Sequence, residues 1–198
     1  MDLYRSKASI VGGLGPVVGW LARRGVSPDA VTLAAVPVAA IGGACLLLSS
    51  ATPVLLLLVP FLAAARLVLN LLDGALARTT GRIHPRGELY NEVGDRLADI
   101  AFLAPVAFVP GADATLVLLG VLGAVLASYV GVTVRAAGSE RVYRGVLSKP
   151  GRMALVAVAA IVALVVGPAV WGWFGPILLI GSVLTLVERL GVAVRRLP

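Results

Sequence analysis

Asn70-Leu-Leu-Asp73-Gly74-Ala-Leu-Ala77-Arg78, then eight residues, then Gly87-Glu-Leu-Tyr-Asn91-Glu-Val-Gly-Asp95: these two polar runs interrupt an otherwise apolar chain. Of its 198 residues, 59% are hydrophobic and only 14% charged, with a mean hydropathy of +0.99. Soluble domains carry about 25% charged residues, so this is the composition of an integral membrane protein. Carboxylates and amides within membrane-spanning segments are costly unless they are paired or bind something, which makes each a functional hypothesis.

Around these runs, six apolar stretches meet the length of about 20 residues that spans a bilayer. They lie near 31–51, 53–77, 88–109, 114–135, 152–168 and 169–190. The expected fold is all-α: a polytopic bundle of six transmembrane helices over residues 27–198, preceded by an amphipathic juxtamembrane segment, residues 1–26. In that segment Leu3, Ile10, Val11, Leu14, Val17, Val18 and Leu21 alternate with Arg5, Lys7, Arg23 and Arg24, the pattern of a helix lying in the membrane interface. Ser27 or Asp29 is suited to cap the first span, with Pro28 in its first turn. Pro53, Pro110-Gly111, Pro150-Gly151 and Gly167-Pro168 mark other ends. No cleavable signal peptide is expected, because the first 24 residues lack a short apolar core followed by a small-residue cleavage site. Cys45 is the single cysteine and reads as a small core residue, so no intramolecular disulfide forms.

The basic residues set the orientation. Arg5, Lys7, Arg23 and Arg24 precede the first span, and Arg78, Arg82 and Arg86 lie between the second and third. Arg135, Arg141, Arg144, Lys149 and Arg152 lie around the loop between the fourth and fifth, and Arg189, Arg195 and Arg196 end the chain. The turns near 51–53, 110–113 and 167–170 hold no Lys or Arg. The positive-inside rule therefore places both termini and the two longer loops in the cytoplasm. A net charge of +7 distributed this way points to anionic lipid headgroups rather than to nucleic acid.

Helical spacing gathers the polar residues. Asn70, Asp73 and Ala77 share one face near the cytoplasmic end of the second span, with Arg66 one turn deeper. Asn91, Asp95 and Asp99 share a face of the third span. Antiparallel neighbours joined by a short loop are expected to pack together, which would bring these oxygens to one spot at the cytoplasmic boundary. Carboxylate and amide oxygens suit Mg²⁺ or Mn²⁺. Gly74, Ala77 and Gly87 leave room for a ligand to approach the backbone. A plainer pairing also fits the spacing: Asp73 with Arg78, and Asp95 or Asp99 with Arg66 or Arg96 as counter-charges. His84 is solitary in its loop, with no second His or Cys for a metal site.

The ordered set resembles the signature of the CDP-alcohol phosphatidyltransferase family, D-x-x-D-G-x-x-A-R, eight residues, G-x-x-x-D-x-x-x-D. Asp73, Gly74, Ala77, Arg78, Gly87 and Asp95 match at the right intervals. Pro28-Asp29-Ala-Val-Thr32 is similar to the family's P-N-x-x-T. The first and third aspartates of the signature are Asn70 and Asn91 here, which takes the formal charge of the four positions from about −4 to −2 and weakens metal binding. Asp99, in line with Asp95, is placed to compensate.

The resemblance implies a membrane transferase of phospholipid biosynthesis. It displaces CMP from a CDP-linked donor, with CDP-diacylglycerol expected, by an alcohol acceptor. It implies Mg²⁺ or Mn²⁺ at Asn70, Asp73, Asn91 and Asp95, with Asp95 also the base. Asp73, Gly74, Ala77, Arg78, Gly87 and Thr32 would bind the nucleotide and phosphates. Lys149 and Arg152, in Gly145-Val-Leu-Ser-Lys149-Pro-Gly-Arg152, are candidates for a phosphorylated acceptor. The site would face the cytoplasm from the cell's inner membrane. Competing readings are a noncatalytic scaffold with the same fold, or an ion-coupled transporter, which the clustering of polar groups at one membrane face disfavours. Gly120, Gly123 and Ala127 offer close helix contacts within the chain or in a homodimer.

Overall fold

The computed structural model describes residues 13–197, so the first residues of the expected juxtamembrane segment lie outside it. Among the described residues seven α-helices follow one another: α1 Gly15–Arg23, α2 Pro28–Leu48, α3 Leu58–Thr80, α4 Pro85–Leu103, α5 Ala114–Ala136, α6 Lys149–Val166 and α7 Trp171–Arg196. Single 3₁₀ segments at Pro53–Leu57, Ala104–Phe108 and Pro168–Val170 lead into α3, extend α4 and lead into α7. Among the described residues there is no strand.

The helix ends follow from local chemistry. Of the two capping candidates at α2, Ser27 is the cap: its hydroxyl accepts from the Ala30 amide at 3.1 Å, with Pro28 next in the chain. Asp113 caps α5 by accepting from Leu116 N at 3.0 Å. Helix α3 stops at Gly81, whose φ of 66° is left-handed. In α1, Val18 is buried in a cluster with Val31, Leu72 and Leu76, while Trp20 is half-exposed beneath the Arg24 guanidinium at 5.2 Å.

The expected spans recur, and the protein is a multi-pass membrane protein. Five of them, Pro28–Leu48, Pro53–Thr80, Ala114–Ala136, Lys149–Val166 and Pro168–Arg196, are long and apolar enough to cross a bilayer. Helix α4 is not, because Glu88, Asn91, Glu92, Asp95, Arg96 and Asp99 recur along it from its first turn almost to its last. It is amphipathic in reverse. Leu89, Val93, Leu97 and Ile100 form an exposed apolar stripe, while Asp95, Asp99 and Phe102 point into the bundle. Exposed Phe61, Leu122, Ile161, Val165 and Ile180 continue the lipid-facing surface on other helices.

Contacts along the helices give their directions. Thr32 meets Asp73, and Arg66 and Asn70 meet Asp99 and Asp95, so α3 runs against α2 and α4. Helices α2 and α4 run parallel and pack closely: Gly94 faces Thr32, Gly42 faces Phe102 and Gly43 faces the Ala101 carbonyl. Helices α5 and α7 form a second parallel pair, with Gly120 against Leu178, Gly123 against Ser182 and Gly175 against Val117. Ala127 is fully buried in the same line. The small-residue face of α5 is thus used inside the chain. Helices α3 and α6 join the two halves, around a core that includes Val59, Phe102, Met153, Trp171 and Leu178.

One expectation does not hold. Helices α3 and α4 do not make with each other the close backbone packing that each makes with α2. Long polar side chains bridge the space between them instead.

At Gly43 an added Cβ would lie 2.1 Å from the Ala101 carbonyl oxygen and 2.7 Å from the Pro105 ring. Gly43→Ala is therefore expected to force α2 from α4 and cost about 1–3 kcal/mol, read as a lower melting temperature in detergent. Gly191→Ala, where nothing lies within 4 Å, is expected to leave that temperature unchanged.

Candidate active site

The start of α2, the last turns of α3, and the loop before α4 with its first turns enclose a pocket of about 500 Å³. Thr32, Asp73, Gly74, Ala77, Arg78 and Gly87, the expected nucleotide and phosphate residues, all line it, as does Asn91. The Thr32 hydroxyl lies 2.9 Å from Asp73 Oδ2 and 3.2 Å from the Pro28 carbonyl oxygen. Asp73 Oδ1 accepts from the Gly74 amide at 2.5 Å. Asp73 is thus held in place by neutral donors, and Arg78 stands on the wall beside Arg82. Space at Gly87 is tight: a Cβ there would lie 3.0 Å from Asp29 Oδ1 and 3.3 Å from the His84 ring, so those side chains would have to shift.

His84 and Asp29 belong to this pocket, although His84 stands alone in its loop with no second metal-ligating His or Cys. His84 is the cap of α4: Nδ1 accepts from the Gly87 amide at 3.0 Å, so the ring's proton is on Nε2, which lies 3.4 Å from Asp29 Oδ2. The signal was present as a residue directly before Pro85 at a helix start. Arg135, at the end of α5, also reaches the wall, paired with Glu88 at 2.5 Å. Its distance in sequence concealed it.

Asn70 and Asp95, the other half of the expected metal set, do not line the pocket. Asn70 Nδ2 donates to Asp95 Oδ1 at 3.1 Å, and Asp95 Oδ2 is ion-paired with Lys149 Nζ from the start of α6. Lys149 is therefore a neighbour of the expected base. Arg152 is one turn further in and buried, donating to Asp99 Oδ2 at 2.8 Å and to the Leu147 carbonyl at 3.0 Å.

Asp99 does not compensate for the asparagines. Its Oδ1 accepts from Arg66 at 2.5 Å and its Oδ2 from Arg152, so both oxygens are held by buried arginines of α3 and α6. The counter-charge reading of Arg66 fits this geometry; its guanidinium also donates to the Asp95 carbonyl at 3.2 Å. Arg96 pairs with Glu92 at 2.5 Å, and Glu92 also takes Arg141 from the loop before α6.

That loop, residues 137–148, is tied down by a residue read from sequence only as a topological charge. Arg189 of α7 donates to the carbonyls of Ala127 at 2.7 Å, Arg144 at 2.8 Å and Tyr143 at 3.3 Å. Thr185 accepts from the Leu147 amide at 2.8 Å. Gly145, at φ 152°, lies where a Cβ would stand 2.2 Å from Thr185 Cγ2.

Among the described residues, no three His, Cys, Asp or Glu side chains gather as a metal cluster. The donor set still fits a hard divalent cation at one place. Asn91 Oδ1 is buried without a hydrogen-bond partner and shares the pocket wall with Asp73. An unpaired buried carbonyl oxygen beside a carboxylate is the chemistry Mg²⁺ and Mn²⁺ accept.

No protein-family model matches the chain. It is 35% identical over 152 residues to the inner membrane protein YnbA of Escherichia coli (strain K12), covering 77% of this chain and 75% of that one. It is 31% identical over 150 residues to the archaetidylinositol phosphate synthase of Aeropyrum pernix, covering 73% of this chain and 72% of that one. Its fold matches the Mycobacterium tuberculosis phosphatidylinositol phosphate synthase solved with manganese and citrate, at a TM-score of 0.75 and 23% identity over 91% of this chain and 88% of that one. The same protein solved with CDP-DAG bound matches at a TM-score of 0.69, over 90% of this chain and 92% of that one. The chain belongs to the CDP-alcohol phosphatidyltransferase family.

Asp99→Asn would leave two buried guanidiniums sharing a neutral group. Breaking a buried pair from one side costs about 3–5 kcal/mol, so a clear fall in melting temperature in detergent is expected. Glu88→Gln, at a half-exposed pair, is expected to cost no more than about 1 kcal/mol.

Proposed function

We propose that the chain transfers a phosphatidyl group from CDP-diacylglycerol to a phosphorylated polyol at the cytoplasmic face of the inner membrane, releasing CMP. The observation that carries this reading is the convergence of Thr32, Asp73, Gly74, Ala77, Arg78 and Gly87, from three separate segments, on one pocket wall. The pocket has room for a nucleotide, and Arg78 and Arg82 offer planar forks to diphosphate oxygens.

In the reaction the acceptor oxygen attacks the lipid-side phosphorus of the donor. The bond from that phosphorus to the bridging oxygen breaks, and its electron pair leaves with CMP. The hydroxyl proton passes to Asp95, whose carboxylate is oriented by Asn70 and by Lys149. The charge that develops on the leaving group would be offset by a bound Mg²⁺ or Mn²⁺. Asp73 and Asn91 would hold it, with Asn70 and Asp95 beside them. The solved relative with manganese supports the choice of ion.

Support for an anionic acceptor comes from charge balance around Asp95. Arg66, Arg96, Arg141, Lys149 and Arg152 meet only three carboxylates there, Glu92, Asp95 and Asp99. The inositol phosphate products named for two relatives agree with that sign. Lys149 is the member best placed to touch an acceptor; Arg152 acts through Asp99 and Leu147. The distribution of basic residues supports cytoplasmic termini.

The test is CMP release by purified protein given CDP-diacylglycerol, Mg²⁺ or Mn²⁺ and a panel of free and phosphorylated polyols. Release that depends on a phosphorylated acceptor is expected. No acceptor-dependent release with any combination would sink the reading. Asp95→Asn is expected to lower kcat about 10²–10⁴-fold, the usual contribution of a general base. Arg78→Ala is expected to act chiefly on KM for the donor.

A further inference from the structure

Asn70, Asp73, Asn91 and Asp95 stand at the four positions of one signature, yet the structure divides them into two pairs. Asp73 and Asn91 share the pocket wall, and the Asn91 carbonyl oxygen has no partner. Asn70 and Asp95 are turned to each other, with the amide N–H, not its oxygen, toward the carboxylate. The remaining oxygen of Asp95 carries the Lys149 ammonium. A divalent cation placed on Asp95 would press against that ammonium. The other two carboxylates on the inner side of α4 do not take Asp95's part, since Asp99 is held by Arg66 and Arg152 and Glu92 by Arg96 and Arg141. Nor does the charge balance favour a second ion. With Arg96 also 4.0 Å from that Asp95 oxygen, two divalent ions beside Lys149 would set six positive charges against the carboxylates of Asp73 and Asp95, whereas one ion sets four.

We infer that this chain holds a single divalent cation, on Asp73 and Asn91, and that the Lys149 ammonium is the second positive charge of the site, fixed on Asp95 by the start of α6. The inference rests on the transferase reading for the presence of a metal, not for its number. Lys149 is a positioning residue here. It aims Asp95 and supplies locally, as part of the polypeptide, a charge that a two-metal site draws from solution.

The measurement is the number of Mn²⁺ ions bound per chain, by EPR titration of the full chain in detergent with CMP present. One ion is expected. Asp73→Asn should weaken its binding at least about tenfold, since it removes the ion's one charged ligand, and Asp95→Asn should still bind one. The double variant Asn70→Asp, Lys149→Met restores a carboxylate and removes the ammonium, and should bind two. If that variant does not fold, Asn70→Asp alone should stay at one ion, because Lys149 remains. Two ions in the unaltered chain, none, or loss of the ion in Asp95→Asn would overturn the inference. So would a folded double variant that stays at one, or Asn70→Asp alone binding two. CMP release is measured on the same preparation. One ion bound without turnover counts against the transferase reading alone; turnover with two ions bound counts against this inference alone.

Discussion

A carboxylate inside a membrane protein is tolerated when a cation meets it, and α4 places three on its inner side. Asp99 takes Arg66 of α3 and Arg152 of α6, Asp95 takes Lys149 of α6, and Glu92 takes Arg141 of the preceding loop. These four pairs fasten three parts of the chain to a helix whose other side faces lipid. They also explain why α3 and α4 can stand apart without falling apart. The polar side chains that cross the gap replace the apolar contacts that adjacent helices ordinarily make, and the gap opens toward the pocket.

Charge pairing and ligand binding therefore share one helix but use different levels of it. The deep level, at Asp99, is saturated and structural. The shallow level, at Asn91 and across to Asp73, keeps an unpaired oxygen at the pocket wall. Asp95 lies between, bonded to Asn70 and Lys149. This gradation suits a phosphoryl-transfer site, which needs rigid support below and ligating atoms with no protein partner above.

Much of this was legible in the sequence. Apolar lengths and punctuating Pro and Gly residues located the helices, and the helical repeat gathers Asp73, Gly74, Ala77 and Arg78 on adjoining faces of α3; Gly87 joins them from the next helix. What escaped was whatever depends on which helices touch. Direct packing of α3 on α4 was the natural inference from a short loop, yet α2 packs closely on both. Asp99 looked like a spare ligand until its two arginines, 33 and 53 residues away in sequence, came into view. The role of Arg135 at the pocket wall depends on contacts that no linear spacing encodes, whereas the capping role of His84 was readable from its place before Pro85.

Arg189 shows a different kind of design. Its partners are the carbonyl groups of Ala127, Tyr143 and Arg144, not side chains. A carbonyl is present whatever residue occupies the position, so this clamp is blind to the loop's sequence. At Tyr143 and Arg144, both exposed, the side chains can be exchanged while the path of the backbone is retained, whereas Arg141 is tied to Glu92, Val142 is buried, and Thr185 leaves no room for a Cβ at Gly145. The backbone leading to Lys149 thus takes its course from α7, and Tyr143 and Arg144 can change without unmaking the scaffold.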